Sequence, residues 1–154
     1  RTIVTSVLTL AEPDLAQRAV QVVRVLPASP VYVRVDADMI QQALLNVLLN
    51  GAQAMVDGGE LHVELRQHGH EASLRIRDQG CGIPRDILSR IFNLYFTTKR
   101  DGTGIGLAMT YRILQLHNGS VQVESEVDVG TQFTLRLPVA PMPEIRPTVS
   151  TSAG

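Results

Sequence analysis

The chain has no tryptophan, one cysteine and only 4% aromatic residues. A lone cysteine, Cys81, cannot close an internal disulfide, which fits a reducing compartment. Neither sign of charge is in excess: Lys+Arg 14 against Asp+Glu 15 leaves a formal charge of −1. That balance excludes the broad basic surface that a nucleic acid or an anionic membrane requires. No run of about 18 apolar residues occurs, so nothing reads as a membrane span. The first residues lack the basic-then-apolar order of a signal peptide. The expected location is the cytoplasm, even if a longer parent protein is anchored in a membrane. What the chain does have is a globular composition, with 154 residues, 44% of them hydrophobic and 19% charged. A chain of this length buries roughly 70% of its unfolded surface in one core. It also has 12 glycines, and they are unevenly spread.

The apolar pattern predicts the elements. A helix is expected through the first 18 residues, kinked or restarted at Pro13. Val20–Val25 and Val31–Val35 alternate and are β-branched, which predicts two short strands joined by Leu26–Pro30. Asp36 is a suitable N-cap for a helix over 37–56, which Gly58 and Gly59 stop. Leu61, Val63 and Leu65, then Leu74 and Ile76, alternate with polar residues about a hairpin at Gln67–His70. Residues 78–104 read as irregular, with a short helical piece near 86–90. A helix over 107–116 ends at Asn118-Gly119. Strands led by Val121 and by Phe133 follow, with a turn at 128–130. From Pro138 the chain is rich in Pro, Ser and Thr, so a domain over 1–138 and a flexible tail over 139–154 are expected. The order predicts an α/β (α+β) two-layer sandwich: a mixed, mostly antiparallel sheet with helices on one face.

Four segments carry chemistry. Asp78-Gln79-Gly80-Cys81-Gly82-Ile83 follows a strand. Its glycines let the backbone approach a flat ligand, and its Asp is a fixed acceptor for an exocyclic amine. A plain Asp-capped turn reads the same residues equally well. Gly102-Thr103-Gly104-Ile105-Gly106-Leu107 precedes a helix, where free N–H groups and the helix dipole favour an anion. Its spacing is neither the dinucleotide fingerprint nor a P-loop, and a flexible loop is the alternative. On the helix over 37–56, Gln42, Asn46, Asn50 and Gln53 fall within an arc of about 80°. This amide stripe is either a solvent face or a set of neutral oxygen donors of the kind Mg²⁺ accepts. Finally, Ile91 to Lys99 holds half of the chain's aromatics, followed by Thr97, Thr98 and Lys99. That is the layout of a lid with apolar anchors and phosphate donors; a pinned surface loop is the alternative.

Together, and in this order, the four segments resemble the ATP-binding catalytic domain of bacterial sensor histidine kinases. That domain belongs to the Bergerat-fold group with DNA gyrase, HSP90 and MutL. Asn46–Asn50 resembles the N box, Asp78–Gly82 the G1 box, Phe92–Phe96 the F box and Gly102–Leu107 the G2 box. Gly130-Thr131-Gln132-Phe133 resembles the closing strand motif. The likeness covers residues 1–138 and is greatest to nitrogen-regulation-type kinases. It implies ATP and Mg²⁺ as cofactors. Asp78 would bind the adenine amine, with Gly82 shaping the pocket, Gly80 and Ile83 also at the nucleotide and Thr131 on the adenine side. Asn50 would ligate Mg²⁺, with Asn46 near the phosphates and Gln53 on the same stripe. Thr98 and Lys99 would approach the terminal phosphate, with Thr97 also at the nucleotide, and Phe96, with Phe92, would anchor the lid. Gly104 and Gly106 would hold the phosphate chain by their N–H groups, within a segment that also brings Gly102, Thr103, Ile105 and Leu107 to the nucleotide. Asn46, Asn50 and Lys99 would be the catalytic residues. Gly51 departs from the family's usual Ala, and Leu94-Tyr95 from its usual Pro-Phe.

The resemblance also implies the reaction. In the ATPase branch a Glu one helical turn before the metal-binding Asn activates water; here that position is Asn46, an amide that cannot take a proton. Phosphoryl transfer to a histidine is therefore expected, in a two-component sensor kinase. The acceptor would lie on the protein's own dimerisation domain, N-terminal to Arg1, with a response-regulator receiver domain as the next partner. No nucleic acid and no direct membrane contact are expected. His62, His68, His70 and His117 have no metal-ligand spacing and read as surface residues. The alternatives are a serine kinase of the anti-sigma-factor type, a non-catalytic nucleotide sensor, and a gyrase- or HSP90-like ATPase.

Overall fold

Alternating apolar side chains can bury one face of a sheet, and here they line up across four strands. The computed structural model describes residues 2–93 and 106–140. Its elements in chain order are α1 (Thr2–Gln17), β1 (Val20–Val25), α2 (Ala37–Ala54), β2 (Gly59–His68), β3 (Glu71–Arg77), α3 (Arg85–Leu88), α4 (Gly106–Leu116), β4 (Ser120–Glu126) and β5 (Gly130–Pro138). The five-stranded sheet has the order β1-β2-β3-β5-β4. Only β1 and β2 run parallel; the other pairs are antiparallel.

Register sets the core. Leu65, Leu74, Leu135 and Val121 are successive cross-strand partners, and so are Val63, Ile76, Phe133 and Val123. These two apolar rows meet Val7 and Ala11 of α1, Val47 and Leu48 of α2, and Leu114 of α4 in one buried cluster. Each Val, Leu, Ile or Phe among them taken fully out of water contributes about 1.5–3 kcal/mol before entropy is counted. The alternate residues, among them His62, Glu64, Arg66, Arg77 and Gln132, point the other way, and an Arg66–Glu64 ion pair at 2.6 Å lies on that face. One polar face is why the molecule stops at two layers.

Val31–Val35 does not form the expected strand. A parallel β1–β2 pair needs a crossover connection, and the chain from 26 to 36 is spent on it, leading from β1 to the start of α2. Its Val31 and Val35 still pack against the core, so the alternation records burial without a ladder. Two other boundaries shift. α1 runs through Pro13 as one helix, and α2 stops at Ala54 with Met55 as its cap. Past β5, Val139 and Ala140 donate backbone hydrogen bonds to the carbonyls of His70 and Tyr32.

His117 is not a simple surface histidine. Its Nδ1 donates to the Ile113 carbonyl at 2.7 Å, and its Nε2 accepts the Asp36 N–H at 3.1 Å. Asp36 is also the N-cap of α2, its Oδ1 accepting from the Met39 N–H. The neutral Nδ1–H tautomer thus pins the end of α4 to the start of α2. Helix periodicity alone does not expose a contact made 81 residues away in sequence.

Candidate active site

The two apolar rows of the sheet are followed by a polar one. Asp78 leaves the end of β3, and its N–H donates to the Thr131 carbonyl at 2.9 Å. Thr131 is the cross-strand partner of Ser125. Alternation puts Asp78, Thr131 and Ser125 on the same face as Ile76, Phe133 and Val123. The core therefore ends in three polar side chains rather than in solvent.

Asp78 is 4% exposed. Its Oδ1 accepts two backbone N–H groups, from Gly80 at 2.9 Å and from Thr131 at 3.1 Å. Burial pushes its carboxyl above the usual carboxylate range, and those two N–H donors pull part of the shift back. Over it lies α2 at Gly51, where an added Cβ would sit 3.4 Å from Asp78 Oδ2 and 3.1 Å from Leu61 Cδ1. An alanine here would touch the carboxylate at ordinary contact distance and ask only a small shift of the Leu61 side-chain tip.

The loop after Asp78 is held on both sides. Cys81 N–H donates to the Ala54 carbonyl at the end of α2, and the Cys81 carbonyl accepts from Asp128. The Gln79 Oε1 accepts from the Glu60 N–H at 2.9 Å. The Ile83 N–H donates to Ser125 Oγ at 2.7 Å. Gly82 has φ +75°, and a Cβ there would meet the Glu126 carbonyl oxygen at 2.3 Å. Only glycine lets this turn lie against the β4–β5 hairpin.

The second wall is the amide stripe of α2. Gln42 Nε2 donates to Asn46 Oδ1 at 3.1 Å, and Asn46 Nδ2 donates to the Gly106 carbonyl at 3.1 Å. The fully buried Thr110 hydroxyl donates to the same carbonyl at 3.0 Å. The first residue of α4 is therefore tied to α2, and the N-terminus of α4, the positive end of its dipole, opens beside the stripe. Asn50 lies one turn beyond Asn46 on the same helix; it is half-buried and Gln53 is exposed.

Asn46, Asn50, Gln53, Asp78, Gly80, Gly82, Ile83, Gly106, Leu107 and Thr131 are thus placed on the sheet end, the loop after it and two helices that converge there. Phe96, Thr97, Thr98, Lys99, Gly102, Thr103, Gly104 and Ile105 lie outside the described residues. Phe92 docks edge-on against Phe133 at 6.3 Å and tilts against Tyr111 at 5.7 Å. Sequence reasoning missed Ser125 and Thr110. Ser125 carried a signal: it is the polar residue at an inward position of a strand whose other inward residues are Val121 and Val123. Thr110 carried none beyond lying on an apolar helix face. Among the described residues, no group of three His, Cys, Asp or Glu side chains could hold a metal ion.

Residues 35–141 match the family model described as histidine kinase-, DNA gyrase B-, and HSP90-like ATPase. The chain belongs to this family. Over 138 residues it is 37% identical to the sensor histidine kinase ZraS of Escherichia coli, covering 90% of the chain and 30% of that protein. It is 38% identical over 110 residues to the signal transduction histidine-protein kinase AtoS of Escherichia coli, covering 71% of the chain and 18% of that protein. The chain thus spans less than a third of the length of these relatives. Among solved structures, the mycobacterial sensor histidine kinase MprB superposes with a TM-score of 0.77 at 29% identity, over 90% of this chain and 96% of that one. Among the described residues no helix is long and apolar enough to cross a membrane.

Proposed function

We propose that this chain binds Mg²⁺·ATP and directs the γ-phosphoryl group to a histidine supplied by a separate dimerisation domain of the same protein. A response-regulator receiver domain would take the group from there, on the cytoplasmic side. The observation that carries the reading is the state of Asn46. Both ends of its amide are engaged, one by Gln42 and the other by the Gly106 carbonyl. It ties two helices together and has no basic atom to activate water. A site that positions ATP without such a base favours transfer to an incoming nucleophile, where positioning and charge neutralisation carry most of the rate.

The other residues then take defined tasks. Asp78 Oδ1 is engaged by backbone donors, so Oδ2 receives the adenine amine. The N–H groups that open α4 hold the phosphate chain, and Thr98 and Lys99 meet its terminal phosphate. The donor set suits Mg²⁺: a neutral amide oxygen from Asn50 and no carboxylate cage fit an ion that keeps its waters and takes phosphate oxygens. Bound there, Mg²⁺ supplies charge neutralisation along the phosphates.

Two outcomes test the reading together. The purified chain is expected to bind ADP more tightly with Mg²⁺ than without, and Asn50→Ala is expected to remove most of that difference in calorimetry. The same chain mixed with ATP is expected to release phosphate very slowly. Rapid release by the chain alone would place it with the ATPases instead.

A further inference from the structure

Ser125 Oγ sits among three polar atoms: the Ile83 N–H at 2.7 Å, the Gly130 carbonyl at 3.0 Å and Thr131 Oγ1 at 2.8 Å. A hydroxyl has one proton to give and two lone pairs. The Ile83 N–H can only donate, so it occupies one lone pair. The Gly130 carbonyl can only accept, so it takes the serine proton. The contact with Thr131 is then made in one direction, with the threonine hydroxyl donating to Ser125. This is the arrangement that satisfies all three contacts at once. It commits the Thr131 proton away from the pocket and leaves its lone pairs for a ligand.

Thr131 is 5% exposed and its own N–H donates to Asp78 Oδ1. The carboxylate and the threonine oxygen therefore belong to one hydrogen-bonded unit, and both offer acceptors. We propose that Ser125 is a positioning residue for base selection: through Thr131 it makes the base end of the pocket acceptor-only, so that a purine with a 6-amino group is taken and one with a 6-oxo group is refused. The inference rests on the nucleotide reading of the site and concerns how that site chooses its base. A 6-oxopurine keeps a donor at N1 but sets its carbonyl oxygen where the 6-amino group stood, so the acceptor that met that group faces another acceptor, the kind of mismatch that polar sites reject strongly.

The test is calorimetry of Mg²⁺·ADP and Mg²⁺·IDP on the whole chain and on Ser125→Ala, Ser125→Thr and Thr131→Val, with thermal melts to follow folding. In Ser125→Ala the Thr131 hydroxyl is free to turn its proton toward the ligand. The preference for ADP over IDP is expected to fall about tenfold. Ser125→Thr, which keeps the hydroxyl, is expected to restore it. Adding Ser125→Ala to Thr131→Val should change the preference no further. If Ser125→Ala weakens ADP and IDP by the same factor, or lowers the melting temperature alone, Ser125 only braces the loop and the proposal is overturned. If the unaltered chain binds ADP no better than IDP, base selection at this site is overturned outright. If it binds neither nucleotide, the nucleotide reading itself fails first.

Discussion

Asp78→Asn is expected to cut ADP affinity by about 100-fold or more while leaving the melting temperature at pH 7 unchanged or higher. The two effects separate because the carboxylate serves the ligand at a cost to the fold. Its pKa in the folded chain is raised by burial, whereas in the unfolded chain it takes the ordinary carboxylate value. Between those two values the folded state binds more protons, so stability falls as pH rises through that window. Above that window the buried charge is a net burden. Asparagine removes the charge and keeps an Oδ1 to accept from Gly80 and Thr131, the two bonds that hold the loop. It puts a donor where Oδ2 was, and a donor facing the adenine amine cannot pair. Calorimetry with Mg²⁺·ADP and a thermal melt read the two halves. Unchanged affinity would remove Asp78 from the base pocket, and a lower melting temperature would show that its charge supports the fold. The same reasoning gives a pH dependence: ADP affinity of the unaltered chain should weaken on acidification through the raised titration range of Asp78, before ordinary surface carboxylates titrate.

Gly82→Ala is expected to destabilise the chain by about 3 kcal/mol, well beyond the roughly 1–2 kcal/mol of a left-handed alanine. The excess comes from a backbone collision: the new Cβ would sit 2.3 Å from the Glu126 carbonyl oxygen. Neither partner is a flexible side-chain tip, so the β4–β5 hairpin must move. Moving it disturbs the Asp128 N–H bond to Cys81 and the Ser125 bond to Ile83, so nucleotide affinity should fall as well. Gly69→Ala is the control. Gly69 also has a positive φ, +59°, but no atom lies within 4 Å of its would-be Cβ. It should cost only the conformational part, about 1–2 kcal/mol, with binding intact. Denaturant midpoints measure both. Equal costs at the two positions would mean that the hairpin does not press on the glycine loop.

The sheet was legible in the sequence wherever alternation and a hairpin coincided. Leu61–Leu65, Leu74–Ile76 and Phe133–Leu137 alternate because one face is buried, and short turns pair them. Val31–Val35 alternates for the same reason and yet has no strand partner among the described residues, because periodicity reports burial and says nothing about hydrogen bonding. The site was legible where chemistry is carried by residue type: a carboxylate at a strand end, glycines beside it, amides on one helix face. What could not be read is the wiring between distant segments. That Asn46 holds Gly106, that Ser125 holds both Ile83 and Thr131, and that His117 accepts from the N-cap Asp36 depend on register and helix placement, which the linear pattern leaves undetermined. Gly51 shows the same gap. It reads as a weak point of a helix, and in three dimensions it lies over Asp78.

The most direct test of histidine phosphorylation is to mix the chain with the histidine-containing dimerisation domain of its own protein and γ-labelled ATP, then challenge the product with acid and base. A label on the dimerisation domain that is lost in acid and kept in base is the predicted result. An acid-stable label would mean a serine or threonine acceptor, and label found only as free phosphate would mean hydrolysis; either would contradict the proposed function.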